Sequence, residues 1–364
     1  MNIGMVSSFG VKCGLSSYST YLSTALIKQG VDVTVLAEYP YPNDTAKDDS
    51  LKTEVPFFHC WKRNEPYDRI VKESSNYTLL HYQHQYGLFP NEYTFIKMLH
   101  DLKTPFVATI HDMVPYDYKY SSYFNELFYK AKKLIVHTPT CKSMLEAWNC
   151  PQKKIELIPH GTKIISVPTK AEARASLKLP ENAKIILSWG FIWESKGILD
   201  LVNILAEIKK TYPEAMLIHA GGIHPIIEKS QYVTTLLKTA VKLGLTPKDF
   251  IITQWVPEDL VPTWFGCSDV IVLNYMRGSA SASGAAHRAM ASHRPLVKTD
   301  DPCIEDIPGF SVPRFSPSEL YQGIMKVLQS ETLQRELIAK AECASMETSW
   351  MNIAKLHKKL YEKI

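Results

Sequence analysis

Three short segments set a glycine beside groups that can bind charge. Cys13-Gly14-Leu15 lies between an apolar run and an amphipathic stretch. Gly14 therefore precedes a helix N-terminus, whose unpaired N–H groups and positive dipole end suit an anion. Ser281-Ala282-Ser283-Gly284 precedes another such stretch. Its small residues let a ligand approach the backbone closely, and its serines can donate hydrogen bonds. Lys196-Gly197 adds a cation, expected to be mostly solvated before a ligand binds, at a third strand-to-helix connection. One such loop is an ordinary β–α turn; three together suit a diphosphate. The GxGxxG fingerprint of a dinucleotide site is absent. His111-Asp112 ends an apolar run and puts an imidazole beside a carboxylate, a candidate for proton handling. His81, His84 and His111 lack Asp or Glu partners at ligand spacing, and no Asp-x-Asp stands at a strand end, so no metal is expected.

These segments need elements to hold them. Asn2–Ser7 reads as a strand. Tyr18, Tyr21, Leu22, Ala25 and Leu26 repeat at helical spacing, with Ser16 or Ser17 as the expected cap and Gly30 just past the end. Val31–Leu36 completes a β-α-β unit. Further strands are expected at Thr78–His84, Phe106–His111, Leu134–His137 and Ile155–Pro159. The pattern breaks at Ser166-Val167-Pro168-Thr169 and restarts with strands at Ile185–Gly190, Ala215–Ala220, Phe250–Thr253, Val270–Leu273 and Pro295–Thr299. Helical patterns fall between them, and the chain closes with helices over Pro317–Leu328, Leu333–Cys343 and Ser349–Tyr361. Strands alternating with helices imply parallel sheets covered on both faces. The expected fold is α/β, two doubly wound Rossmann-like domains facing a cleft. The boundaries fall at 1–165, 166–345 and 346–364, the last a helix returning to the first domain. Ligands of such sheets bind beyond the carboxyl ends of the strands.

Composition limits the choices further. The chain has 364 residues, 45% hydrophobic and 21% charged, enough for about two buried cores. A net charge of +4 gives no reason to expect nucleic-acid binding. Seven scattered cysteines without a CxxC pair suggest free thiols in a reducing compartment. The first residues read as a strand rather than a signal peptide, and no apolar run approaches the roughly 20 residues of a spanning helix. A cytoplasmic protein is expected. The aromatic and basic stretch from Tyr116 to Lys133 reads either as a helix with a buried aromatic face or as an acceptor-binding or peripheral membrane surface.

Taken in order, the motifs resemble those of the retaining nucleotide-sugar glycosyltransferases of the GT-B fold, family 4. The resemblance spans essentially the whole chain. It is carried by Cys13-Gly14-Leu15, His81–Phe89, Thr109-Ile110-His111-Asp112, Ile135-Val136-His137-Thr138, Ile158-Pro159-His160-Gly161, Gly190–Gly197, Ser268–Tyr275, and Ser283-Gly284 through Arg294-Pro295-Leu296. It implies that Gly14 approaches the donor diphosphate and that His111 lies beside the transferred sugar. It implies that Lys196 neutralises the diphosphate, that Ser283 and Gly284 offer backbone amides, and that Trp255 and Val256 cradle the base. Two family glutamates are replaced here by Ala280 and Arg288, and a family arginine by Phe191. Arg288 or Arg277 can supply the missing positive charge.

The activity implied is transfer of a sugar from a nucleoside-diphosphate sugar to an acceptor with retention of configuration. The donor is a substrate, and no cofactor is expected. The acceptor is a glycan, a lipid-linked molecule or a small molecule. A sugar-nucleotide epimerase, a phosphorylase, or an inactive sugar-nucleotide binder on the same fold remain as alternatives.

Overall fold

The structure is a computed structural model describing residues 1–40, 47–112, 121–223, 230–276 and 282–364. The chain divides into two compact units. The first holds Met1–Gly161, Ser279–Gly284 and Thr348–Ile364; the second holds Thr162–Gly278 and Ala285–Glu347.

Among the described residues, the first unit has a seven-stranded sheet. Its strands are β1 (Asn2–Ser7), β2 (Asp32–Glu38), β3 (Phe57–Trp61), β4 (Leu79–His84), β5 (Phe106–Ile110), β6 (Lys133–Val136) and β7 (Ile155–Leu157). They lie in the order β3-β2-β1-β4-β5-β6-β7, every neighbouring pair parallel. The second unit has six strands: β8 (Ile185–Trp189), β9 (Met216–Ala220), β10 (Phe250–Ile252), β11 (Val270–Leu273), β12 (Leu296–Thr299) and β13 (Phe310–Val312). Their order is β10-β9-β8-β11-β12-β13, again all parallel. These are two doubly wound sheets of an α/β fold. The central strands β4, β5, β8, β9 and β11 are buried at every position, as strands covered by helices on both faces must be.

Most expected elements lie within a residue or two of their sequence positions. The amphipathic helix is Gly14–Lys28, with Tyr18, Leu22, Ala25 and Leu26 buried and Gly30 following at φ 77°. Its start differs from expectation. Neither Ser16 nor Ser17 caps it; both lie inside the helix, Ser16 Oγ accepts a hydrogen bond from Val11 N, and the N-cap is Cys13 without a side-chain bond. Residues 163–169 form no regular element, apart from which the helix Lys170–Leu177 starts on a capping box of Thr169 and Glu172. The short elements β3, β13, Pro139–Ala147, Lys170–Leu177 and Val261–Gly266 were not expected from the sequence pattern. Most span too few residues to establish a period.

The last helix, Trp350–Tyr361, enters the first unit's core. Trp350, Ile353, Ala354, Leu360 and Tyr361 join Ile3, Met5, Tyr18 and Leu22 in one buried cluster. Trp350 comes so close to the backbone that a Cβ at Gly161 would fall within its ring, so only glycine fits there.

Several core histidines are buried neutral. Burial holds His81 well below the ordinary 6.5 and lowers His84 to about 3, and His357 and His219 to about 4. Their folded values lie below the unfolded one. The unfolded chain therefore takes up protons first, and the stabilisation is present above 6.5 and lost as pH falls below it. Asp112 and Glu38, raised by burial, act in the opposite sense but are fewer. Each histidine loses roughly 1 kcal/mol per pH unit below its unfolded value. The melting temperature should therefore fall steadily from about pH 7 to about pH 5. A flat or rising melting temperature over that interval would remove the neutral histidines from the stability balance.

Candidate functional site

In the first unit the strand order reverses between β1 and β4. Helices leaving neighbouring strands at such a point cover opposite faces and leave a crevice at the carboxyl edge. Gly14 opens the helix after β1. That helix has no acidic residue in its first turn and no side-chain cap, and nothing lies within 4 Å of where a Cβ of Gly14 would stand. Its first N–H groups therefore carry the positive end of the dipole with no built-in anion.

His111 follows β5 and is half-buried. Its Nε2 donates to Gln83 Oε1 at 2.7 Å, which leaves Nδ1 as the acceptor. The ring meets Tyr18 edge-on at 4.6 Å, so His111 lies against the helix that Gly14 begins. Burial, then the neighbouring histidines His137, His81, His84 and His357, hold it well below the usual range, so it is neutral at neutral pH. Asp112 accepts a hydrogen bond from Tyr86 N at 2.9 Å, and burial raises it to about 7. His81 is spent on Tyr361 Oη and Thr109 Oγ1, each at 2.7 Å, and His84 meets Tyr123 Oη at 2.7 Å. Among the described residues no group of three His, Cys, Asp or Glu side chains is placed to hold a metal ion.

In the second unit the order reverses between β8 and β11. The loop after β8 ends in a 3₁₀ turn, Glu194–Lys196, and then Gly197 at φ 55°. A side chain at Gly197 would collide with Asn274, which follows β11. Asn274 Nδ2 donates to Gly197 O at 2.9 Å, and Met276 N donates to Ser195 O at 2.8 Å. The two loops that flank the reversal are thus tied together. Lys196 projects from the first over the second, its Nζ 3.2 Å from the centroid of the Tyr275 ring. Among the described residues it has no carboxylate at ion-pair distance. The sequence suggested a solvated lysine. Instead Lys196 is half-buried, and burial lowers its ammonium to about 8.

Trp255 follows β10. Its ring lies 5.4 Å from Phe191 at an interplanar angle of 31°, and its buried Nε1 has no partner among the described residues. The Val256 side chain is buried in the core cluster with Trp189 and Phe265, so only its backbone is left for a ligand. Arg288, on the helix Gly284–Met290, is an ion-paired side chain rather than a free cation. Its Nη2 lies 2.5 Å from Glu258 Oε2, and Lys163 Nζ lies 2.6 Å from Oε1 of the same carboxylate. The guanidinium also stands 5.5 Å from the Trp189 ring. Ser283 is buried and Gly284 is the first residue of its helix. Ala280, Ser281 and Arg277 lie outside the described residues, as does the stretch 113–120 of the aromatic and basic segment. Within the described remainder of that segment Tyr123, Phe124 and Phe128 are buried, while Tyr129 is exposed beside Lys130.

Each unit thus collects its own candidates at the carboxyl edge of its sheet: Gly14 and His111 in the first, Lys196, Trp255 and Arg288 in the second. Sequence reasoning missed Tyr275 and Glu258. Tyr275 is the second residue past the end of β11, a position where a functional side chain is worth seeking. Glu258 carries no local signal, because only folding brings it to Arg288.

Comparison with known proteins gives these sites a family. Residues 13–164 match the model of Glycosyltransferase Family 4, and residues 183–330 match that of Glycosyl transferases group 1. A putative glycosyltransferase of Bacillus subtilis, YtcC, is 26% identical over 168 residues, 44% of this chain and 40% of that protein's length. The crystal structure of Anabaena HepE in complex with UDP-glucose superposes with a TM-score of 0.80, at 16% identity over the whole of both chains. Sucrose-phosphate synthase from Thermosynechococcus elongatus superposes at 0.78, with 19% identity, covering 100% of this chain and 98% of that one. The structural likeness establishes a shared two-domain α/β fold, and together with the two family matches it makes this chain a member of the GT-B glycosyltransferases, family 4 in its amino-terminal part and group 1 in its carboxy-terminal part.

Proposed function

We propose that this glycosyltransferase moves a sugar from a nucleoside-diphosphate sugar to an acceptor with retention of configuration and without a metal. The second domain takes the nucleotide-sugar and the first takes the acceptor, a glycan, a lipid-linked molecule or a small molecule. The observation that carries this reading is Lys196, a half-buried cation without a carboxylate partner among the described residues, at the strand-order reversal of its sheet. The complexes of Anabaena HepE with UDP and UDP-glucose support a donor of this class.

In the proposed reaction the bond from the anomeric carbon to the diphosphate oxygen breaks, and a bond to the acceptor oxygen forms on the same face. The acceptor proton passes to the departing phosphate oxygen. The charge that develops on the diphosphate is stabilised by Lys196. Neutral His111 can accept a hydrogen bond at Nδ1 beside the sugar without bringing a charge. Trp255 offers a ring to the base, with Phe191 behind it. Arg288 is assigned to donor binding through its second face, with Glu258 competing for the guanidinium.

Three experiments test this. Lys196→Ala should lower kcat by roughly 100-fold, the scale of removing one charge-stabilising group. Because only the ammonium serves, kcat/KM of the wild type should fall as pH rises through about 8, and Lys196→Arg should carry activity to higher pH. Normal turnover in the alanine variant would take Lys196 out of the site. Activity should also persist in EDTA; abolition by the chelator with recovery in manganese or magnesium would contradict phosphate binding by lysine alone. Calorimetric titration of UDP should show Arg288→Ala binding roughly tenfold more weakly, the loss of one charged hydrogen bond. Glu258→Gln, which releases the guanidinium, should bind more tightly. Equal dissociation constants in all three proteins would restrict Arg288 to its ion pair.

A further inference from the structure

We propose that Tyr275 is a positioning residue, holding the Lys196 ammonium on its ring until an anionic ligand draws it off. The inference deepens the donor-binding reading of Lys196 and rests on it for the identity of the anion.

The geometry is fixed from both sides. Tyr275 is buried, and its carbonyl accepts a hydrogen bond from Thr299 Oγ1 at 2.7 Å. The next residue, Met276, donates its N–H to Ser195 O at 2.8 Å, and Ser195 directly precedes Lys196. The two backbone segments that carry the ring and the ammonium are therefore tied together. At 3.2 Å from the centroid, Nζ stands at close range over the negative face of the ring.

The groups around it do not offer a better place for the charge. Asp301, after β12, is already bonded to Cys303 N at 3.0 Å and to Arg314 Nη1 at 3.2 Å. Burial pushes the Cys303 thiol up, so it is uncharged at neutral pH. His219, from β9, is neutral and donates its Nε2–H to Gly190 O, 2.8 Å away. Asp301 favours the ammonium from a distance, whereas desolvation opposes it more strongly. An aromatic face has one advantage over a carboxylate in this position. It holds a cation without neutralising it, so no ion pair must be broken when a diphosphate arrives. A phosphate oxygen forms a charge-assisted hydrogen bond that the ring cannot match.

The test needs no turnover. Competitive acetylation of the full chain, followed by mass spectrometry of the Lys196 peptide, gives the titration curve of that one amine. The midpoint should lie near 8 in the wild type and in Tyr275→Phe, which keeps the aromatic face. Tyr275→Leu removes the face and should lower the midpoint by roughly one pH unit, making Lys196 about fivefold more reactive at pH 7. UDP should raise the midpoint in the wild type. The same midpoint in Tyr275→Leu as in the wild type overturns the proposal. Should the leucine variant not fold, proton NMR of the wild type decides. The Lys196 ε-methylene protons, assigned by their loss in Lys196→Arg, should be shifted upfield by the ring and move back on addition of UDP. Ordinary shifts without UDP overturn the proposal. A leucine effect without any UDP response would instead support the cation–π contact and overturn the diphosphate reading.

Discussion

In each sheet the strand order reverses once, and what else the molecule can do follows from that reversal. Right-handed crossovers send the helices that leave two neighbouring strands to opposite faces. The backbone between them diverges, and the carboxyl edge gains a crevice that a continuously wound sheet lacks. The strands themselves are buried on both faces, so the polar side chains they carry, such as His81 and His84 in β4, are spent on internal hydrogen bonds, and the tight glycines and helix N-termini lie in the loops at that edge. Gly14 and Lys196 both lie in the first loop of their reversal, after β1 and after β8.

The two units use this edge with different electrostatics. At the reversal of the first, the groups named as candidates are neutral. His111 is held uncharged by burial and by other histidines, and the helix after β1 offers only partial charges from its N–H groups. The second carries formal charge. Lys196 rests on an aromatic ring, and Arg288 shares Glu258 with Lys163. Neutral groups suit a sugar or an acceptor hydroxyl, which carry no charge before reaction. Cations suit a diphosphate. The division of labour proposed for the two domains therefore follows the distribution of charge.

The departures from the family pattern are tied into neighbouring structure. Arg288, standing where a carboxylate is usual, has a carboxylate beside it in Glu258. Phe191, standing where an arginine is usual, faces Trp255. Each replacement changes what the carboxyl edge presents: a guanidinium backed by an acid in one place, a paired aromatic surface in the other.

The sequence by itself determined the architecture, because parallel sheets buried on two faces demand continuous apolar runs separated by helical periods. Those runs at Asn2–Ser7, Ile185–Gly190 and Val270–Leu273 could be read directly, as could the glycines and the lysine at their ends. Short elements such as Phe57–Trp61 and Phe310–Val312 could not be read, because three to five residues do not establish a period. The environment of each candidate was decided only by tertiary structure. Ser16 looked like a cap, but the chain turned into its helix at Cys13. Val256 looked available, but its side chain faces the core. Lys196 looked solvated, yet folding placed it on Tyr275, 79 positions further along the chain. Arg288 looked free until Glu258, 30 positions earlier, was brought to it. A side chain's type is local information, whereas its desolvation and its charge partners come from residues distant in sequence, and these set whether a lysine is charged, an arginine is committed or a histidine is neutral.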